Sequence, residues 1–181
     1  MASLVRAACL TNYAEVATAS GLNAARMLFD AGLSPSVLDG PDLMIPVDKV
    51  GRLLHASAQM SGNEGFGLSM ARTRLLSNMG PVGLLIRDQA TLRDSLSLLV
   101  QYLTQLNGAL TLTVEEEDDS VLIRELLLAG SAHEPTRQRV ELALGVMVRA
   151  IRQLIGSDWK PRLVCFEHSP PRDLTAHKQL F

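Results

Sequence analysis

The sequence predicts an α+β fold: a helical N-terminal half, then a small, largely antiparallel sheet (a hairpin plus one later strand) packed with a long helix. Three observations carry this. Apolar residues recur at helical spacing between Gly and Pro breaks through the first half. The period changes to two over Leu110, Leu112 and Val114, with Thr111, Thr113 and Glu115 between them. Helical spacing then returns in a stripe from Val140 to Ile155, the longest such segment of the chain.

In order along the chain, Asn12 is placed to cap a helix through Ala19, which Ser20-Gly21 breaks. Asn23 is placed to cap a second helix through Ala31, with Gly32 as its left-handed stop. Leu38 to Asp42 is turn material. After Ile45-Pro46, residues Val47, Val50, Leu53 and Leu54 define a helix face that reaches about Met60, where Ser61-Gly62-Asn63 ends it. Short helices follow around Phe66 to Met70 and after Gly80-Pro81. Thr91 and Asp94 make a variant capping box, and Leu92, Leu96, Leu99, Val100 and Leu103 share one face of a helix that Asn107-Gly108 terminates. The strand through Leu112 and the run Val121 to Leu126 read as hairpin arms around an acidic loop, Glu115 to Asp119. The long helix is expected from Thr136 to Ile155. Val140, Leu144, Met147, Val148, Ile151, Leu154 and Ile155 form its apolar stripe, Arg137, Arg139, Arg149 and Arg152 fall mostly off it, and Gly156 stops it. Leu163 to Phe166 is the later strand, Pro170-Pro171 breaks the chain, and Asp173 caps a last helix containing Leu174, His177 and Phe181.

Composition bounds the function. The chain has 181 residues, 47% hydrophobic and 20% charged, with a net charge of -2. That suits one domain over 1–181 with a buried core, and excludes disorder. No apolar run approaches the roughly 18 to 20 residues of a membrane span, and the first ten residues do not form a secretory signal. A cytoplasmic protein without membrane contact is expected. The pI of about 6.1 gives no global attraction to nucleic acid. Tyr13 to Leu33 can be laid on a helix-turn-helix template, but Arg26 is the sole cation of its second helix, too few for groove binding.

Catalytic patterns are missing. Cys9 and Cys165 make neither a disulfide framework nor a thiolate zinc site. His55, His133, His168 and His177 show no ligand spacing, and a Cys165–His168–His177 site has no spacing rule behind it. There is no Gly-x-Ser-x-Gly elbow and no Walker or dinucleotide loop, and five adjacent acids face water rather than a cleft. The expectation is a non-enzyme with no cofactor and no metal. What remains is a small-molecule pocket, apolar with a few converging polar groups. Arg124 and Glu125 interrupt the second hairpin strand, and Tyr102 and Asn107 end the helix leading into the first. These four residues are the candidate effector anchors.

Several segments then combine. They are Val5-Arg6-Ala7-Ala8, Ala31-Gly32-Leu33 followed by a Leu-Asp turn, Ile45-Pro46-Val47, Phe66-Gly67-Leu68, and Gly80-Pro81-Val82-Gly83. The Thr91-Leu92 helix, the acidic hairpin, Gly156-Ser157-Asp158-Trp159-Lys160-Pro161, the strand ending in Phe166-Glu167-His168 and the Pro-Pro-Arg-Asp-Leu segment follow in order. The ordered set resembles the N-terminal effector-binding domain, of the arabinose-binding-like type, of AraC-type transcriptional regulators. The resemblance implies a domain that senses a small molecule and self-associates as a homodimer. It also implies that DNA is bound only through a separate C-terminal domain with helix-turn-helix units. On that view 1–181 is an N-terminal fragment lacking the DNA-binding domain, in keeping with a last helix that has no stop signal at Phe181. Ligand contacts vary within such a family, so the resemblance transfers no binding residue. A ligand-independent dimerisation module, using an exposed part of the Val140 to Ile155 stripe, is the alternative.

Overall fold

A computed structural model describes residues 3–128 and 136–181; His133 lies outside the described residues. Among them are eight α-helices and two separate two-stranded antiparallel sheets, an α+β architecture. The first sheet pairs β1 (Leu4–Arg6) with β2 (Met44–Pro46), Val5 standing opposite Ile45. Both of those side chains are buried. This sheet is a departure from the all-helical first half that the sequence predicts, and its cause is length: three residues are too few to show a period of two.

Between these strands lie α1 (Tyr13–Ala19) and α2 (Ala24–Asp30). Asn23 caps α2 as expected, its side chain accepting from the Arg26 N–H at 2.9 Å. Asn12 does not cap α1. It takes the left-handed conformation, with φ at 62°, and its amide donates to the Thr73 hydroxyl at 2.6 Å. Helix α3 (Val47–Ser61) buries Val47, Val50, Leu53 and Leu54 and ends at Gly62, whose φ of 69° glycine adopts without strain. Tyr13 reaches it from α1, its hydroxyl 2.9 Å from that of Ser57. Helix α4 (Phe66–Ala71) is buried along nearly its whole length.

The second half builds on α5 (Pro81–Arg87), α6 (Leu92–Leu106) and a hairpin of β3 (Leu110–Glu117) and β4 (Ser120–Leu127). Thr91 caps α6, accepting from the Asp94 N–H at 3.1 Å while its hydroxyl donates to the Asp94 carboxylate at 2.7 Å. The register sets Leu112 opposite Glu125 and Val114 opposite Ile123. Leu112, with Leu110, Val114 and Ile123 beside it, packs on Leu99 and Leu103 of α6 and on Met147 and Ile151 of α7 (Arg137–Ile155). The expected packing of one sheet face on the two helices is therefore observed.

Four further expectations need correction. Val100 is 41% exposed and leaves the buried face of α6. Glu115, Glu116 and Glu117 belong to β3, and only Asp118-Asp119 turns the chain. The strand tolerates them because Arg124 stands 3.1 Å from Glu115 and Arg93 2.7 Å from Glu116. Leu163 to Phe166 forms no strand. Leu163 is 78% exposed, and Phe166 instead packs its ring 4.9 Å from that of His168 and 5.7 Å from that of Phe181. Helix α7 is not a one-sided amphipathic helix: Gln138, Arg139 and Glu141 are buried along with Met147, Val148 and Ile151. It runs between α3 and α4 on one side and α6 and β4 on another, so little of it faces water. The last helix, α8 (Thr175–Leu180), follows Asp173, which accepts from the Thr175 N–H at 2.8 Å.

Candidate functional site

The buried side chains fall into two clusters. One gathers α1, α2, α3 and α4 around Tyr13, Leu28, Leu53, Leu54 and Phe66; the other gathers α5, α6, the hairpin and the second half of α7. Their seam holds a cavity of about 170 Å³. Helix α7 supplies Arg139, Leu142, Ala143, Val146 and Met147, the i, i+3, i+4, i+7 and i+8 positions of one helical face. Helix α6 supplies Leu99, Leu103 and Leu106, with Asn107 just past its end, and α3 supplies Val47, Val50 and Leu54. Val5 and Arg6 of β1, Leu110 of β3, and Glu125 and Leu127 of β4 close it. Cys9 and the segment from Arg74 to Met79 border it on the remaining side.

Most of the polar wall groups are already held. The Arg74 guanidinium donates to the Ala8 carbonyl at 2.6 Å and to that of Cys9, bracing the turn after β1, and burial lowers its pKa to about 10. Burial pushes the Cys9 thiol up to about 12, against the pull of Arg74 and Arg139 nearby. That thiol stays protonated at neutral pH and is a poor nucleophile. Arg6 pairs with Asp42. The Asn107 side chain accepts from the Ala109 N–H at 3.0 Å and that of Asn78 from the Leu75 N–H at 2.9 Å. Among the described residues Arg74 keeps its Nε without a hydrogen-bond partner, and Glu125 likewise keeps an oxygen. Its Oε2 is buried, and no described group hydrogen-bonds it. Burial raises its carboxyl to about 8, so it is mostly protonated at neutral pH.

The four expected anchors divide. Asn107 and Glu125 line the cavity; Tyr102, half-buried on α6, and Arg124, exposed and paired with Glu115, do not. The strand period explains the split of the neighbours, since adjacent residues point to opposite faces and β4 can deliver only one of them to the interior. The sequence reading missed Cys9, Arg74 and Arg139. For Arg139 a signal existed: it heads the stripe Leu142, Ala143, Val146 and Met147 at helical spacing. For Cys9 and Arg74 there was none, because long-range packing of irregular segments places them.

A second polar cluster lies outside the cavity. Glu141, fully buried on α7, accepts from Arg137 Nε at 3.1 Å and stands 3.2 Å from His177 Nε2 and 3.6 Å from His168 Nε2. Arg152 donates to the carbonyls of Trp159 at 2.9 Å and Leu180 at 2.7 Å. These contacts clasp residues 159–181 onto α7. Among the described residues no three His, Cys, Asp or Glu side chains converge as a metal-binding group, and Cys165 is exposed. No described helix is long and apolar enough to cross a membrane.

Comparison with known proteins gives consistent relatives. The family described as "Arabinose-binding domain of AraC transcription regulator, N-term" matches residues 21–181. The HTH-type transcriptional regulator VirS of Mycobacterium tuberculosis, in strains H37Rv and CDC 1551, is 30% identical over 172 residues, 93% of this chain and 50% of that protein. An uncharacterized HTH-type transcriptional regulator of Mycobacterium bovis is 24% identical over 110 residues, 60% of this chain and 32% of that protein. The chain thus spans about half the length of VirS.

Proposed function

The chain belongs to the family of arabinose-binding N-terminal domains of AraC transcription regulators, and from that premise we propose that it senses a small molecule and passes the binding event to a helix-turn-helix domain outside this chain. The cavity at the seam of the two clusters carries the reading. It is mostly apolar, it is built from both halves of the fold, and its wall holds buried polar atoms without a protein partner, Glu125 Oε2 and Arg74 Nε among them. Binding sites are mostly apolar with few polar groups, and an unsatisfied buried polar atom is costly unless something supplies its hydrogen bond. Of the four sequence-derived anchors, Asn107 and Glu125 are the two we assign to the effector. Ligand at the seam biases how the two halves pack, and it alters DNA affinity only through its differential affinity for the two arrangements. The reading includes a cytoplasmic regulator whose DNA contacts come from the helix-turn-helix domain.

Self-association into a homodimer is part of the same proposal. The outer face of the hairpin supports it, with Leu122 41% and Leu126 51% exposed on the side away from the core. The stripe expected to form that seam is mostly taken up by the core, leaving Ile155 exposed. One experiment separates sensing from association alone. The full-length protein is screened by thermal shift against amino acids, amines, sugars and fatty acids, with light scattering at several protein concentrations. Ligand at 100 times its dissociation constant adds about 2.7 kcal/mol and raises the Tm by several degrees. A concentration-dependent mass with no thermal response to any class would sink the sensor reading and leave an association module.

A further inference from the structure

The chain after α7 builds a second concavity. Residues 156–174 form no helix or strand, and their outer side leaves a groove of about 510 Å³ against α8. That size falls within the roughly 300 to 1,000 Å³ of small-molecule sites. None of the residues lining it lines the seam cavity. Two properties of its wall limit what fits. The first is apolar surface: Val164, Phe166 and Phe181 lie along it, and Leu163 and Leu174 stand exposed at its side, where a hydrocarbon guest would take them out of water. The second is charge. The polar side chains of the wall are Arg162, His168, His177 and Lys178, with no carboxylate, hydroxyl or carboxamide among the described lining residues.

The two imidazoles do not decide the charge of a guest. Each turns its Nε2 toward Glu141, and His177 Nδ1, buried and unbonded, donates or accepts according to the charge of its own ring. Arg162 and Lys178 do decide it. Arg162 meets Asp119 at 3.2 Å in a pair exposed on both sides, which holds it weakly. Lys178 makes no hydrogen bond or ion pair among the described residues, and nearby Asp173 is occupied by the N–H and hydroxyl of Thr175 at 2.8 and 2.6 Å. An ammonium guest would meet two fixed cations and no carboxylate. A neutral guest would gain nothing from the Lys178 charge, whereas a carboxylate pairs with it through a charge-assisted bond about twice as strong as a neutral one.

We propose that this groove binds a hydrophobic monocarboxylate, its carboxylate on Lys178 and its hydrocarbon chain along Leu163, Phe166, Leu174 and Phe181. It is a second site, independent of the seam cavity and of the effector reading given to that cavity.

The test is isothermal titration of the full-length protein, at neutral pH and low salt, with three guests of equal chain length: decanoate, decanol and decylamine. Decanoate is expected to bind at one site, and decanol and decylamine about fivefold more weakly or worse. Lys178→Gln is expected to weaken decanoate about fivefold and leave decanol unchanged, a loss that shrinks as added salt screens the pair. Leu163→Asp sets a carboxylate at the side of the groove and is expected to abolish decanoate binding. Both positions are exposed, so both variants should keep the Tm of the wild type. Ala143→Leu, in the seam, is expected to leave decanoate binding intact. Decanol or decylamine binding as tightly as decanoate would overturn the assignment, as would decanoate binding that Lys178→Gln does not weaken. Binding lost in Ala143→Leu but kept in Leu163→Asp would put the guest in the seam and remove the groove site. Absence of decanoate binding would also remove it, and would leave the seam to be judged by its own ligand screen.

Discussion

Glu125 moves on folding from water into an apolar wall, and its carboxyl titrates near 8 there against an ordinary value of 4.5. Between those values the folded protein holds a proton that the unfolded chain has lost, so stability falls as pH rises. The expected loss is about 1 kcal/mol per pH unit between pH 5 and 8, and it is complete above the folded value. Glu125→Gln removes this dependence, because the amide does not titrate. Urea unfolding at pH 5.5 and pH 8 measures it: the wild type should lose stability across that interval and the variant should hold nearly constant. A variant whose stability falls as steeply as the wild type would place the titrating group elsewhere. At this scale the sequence was half legible. Glu125 stood out as an acid interrupting a strand, but so did Arg124, and only the alternation of β4 tells which of the two enters the core. Its burial at that register position depends on α6 and α7, which no local pattern reveals.

Helices, more than strands, were legible as elements. Caps at Asn23 and Thr91 and the stop at Gly62 lie in the backbone chemistry of a few residues, so α2, α3 and α6 emerge directly from the sequence. Helix α7 was found but its faces were misread. A single apolar stripe presumes one wet side, whereas α7 is covered from several directions and buries Gln138, Arg139 and Glu141 through specific partners. One of those partnerships sets the crossing with α4. The Gly67 N–H donates to the Gln138 side chain at 2.8 Å, and that amide donates in turn to the Glu64 carbonyl at 2.7 Å. A Cβ on Gly67 would lie 2.2 Å from the Gln138 backbone oxygen, closer than any side chain tolerates. Gly67→Ala must therefore push α4 off α7. It is expected to destabilise the protein by about 1–3 kcal/mol, read as a lower midpoint in denaturant with an unchanged m-value. A midpoint equal to that of the wild type would mean that the two helices do not approach so closely.

At the scale of the molecule, the two clusters touch along α7, whose residues belong to both: Leu142 to the first, Met147, Ala150 and Ile151 to the second. The cavity lies where that shared helix passes α3 and α6, so its contents determine how firmly the halves are joined. Ala143 faces the cavity between Leu142 and Val146 with a side chain of one carbon. Replacing it by leucine adds three carbons to space already enclosed by apolar walls, so no backbone need move to admit them. Each buried methylene contributes about 0.8 kcal/mol, and restricted rotamers and imperfect fit offset part of it. Ala143→Leu is therefore expected to raise stability by about 1–2 kcal/mol and the Tm by a few degrees. This is opposite in sign to Gly67→Ala, although both enlarge a small residue at an α7 packing surface. The same variant should lose the thermal response to any guest of the cavity, because the guest and the leucine side chain compete for one volume. Stabilisation together with a lost response would make the seam the point through which ligand acts on both halves. Destabilisation by Ala143→Leu would mean that the leucine side chain does not fit the space between α3, α6 and α7, which would remove the physical basis for placing an effector there.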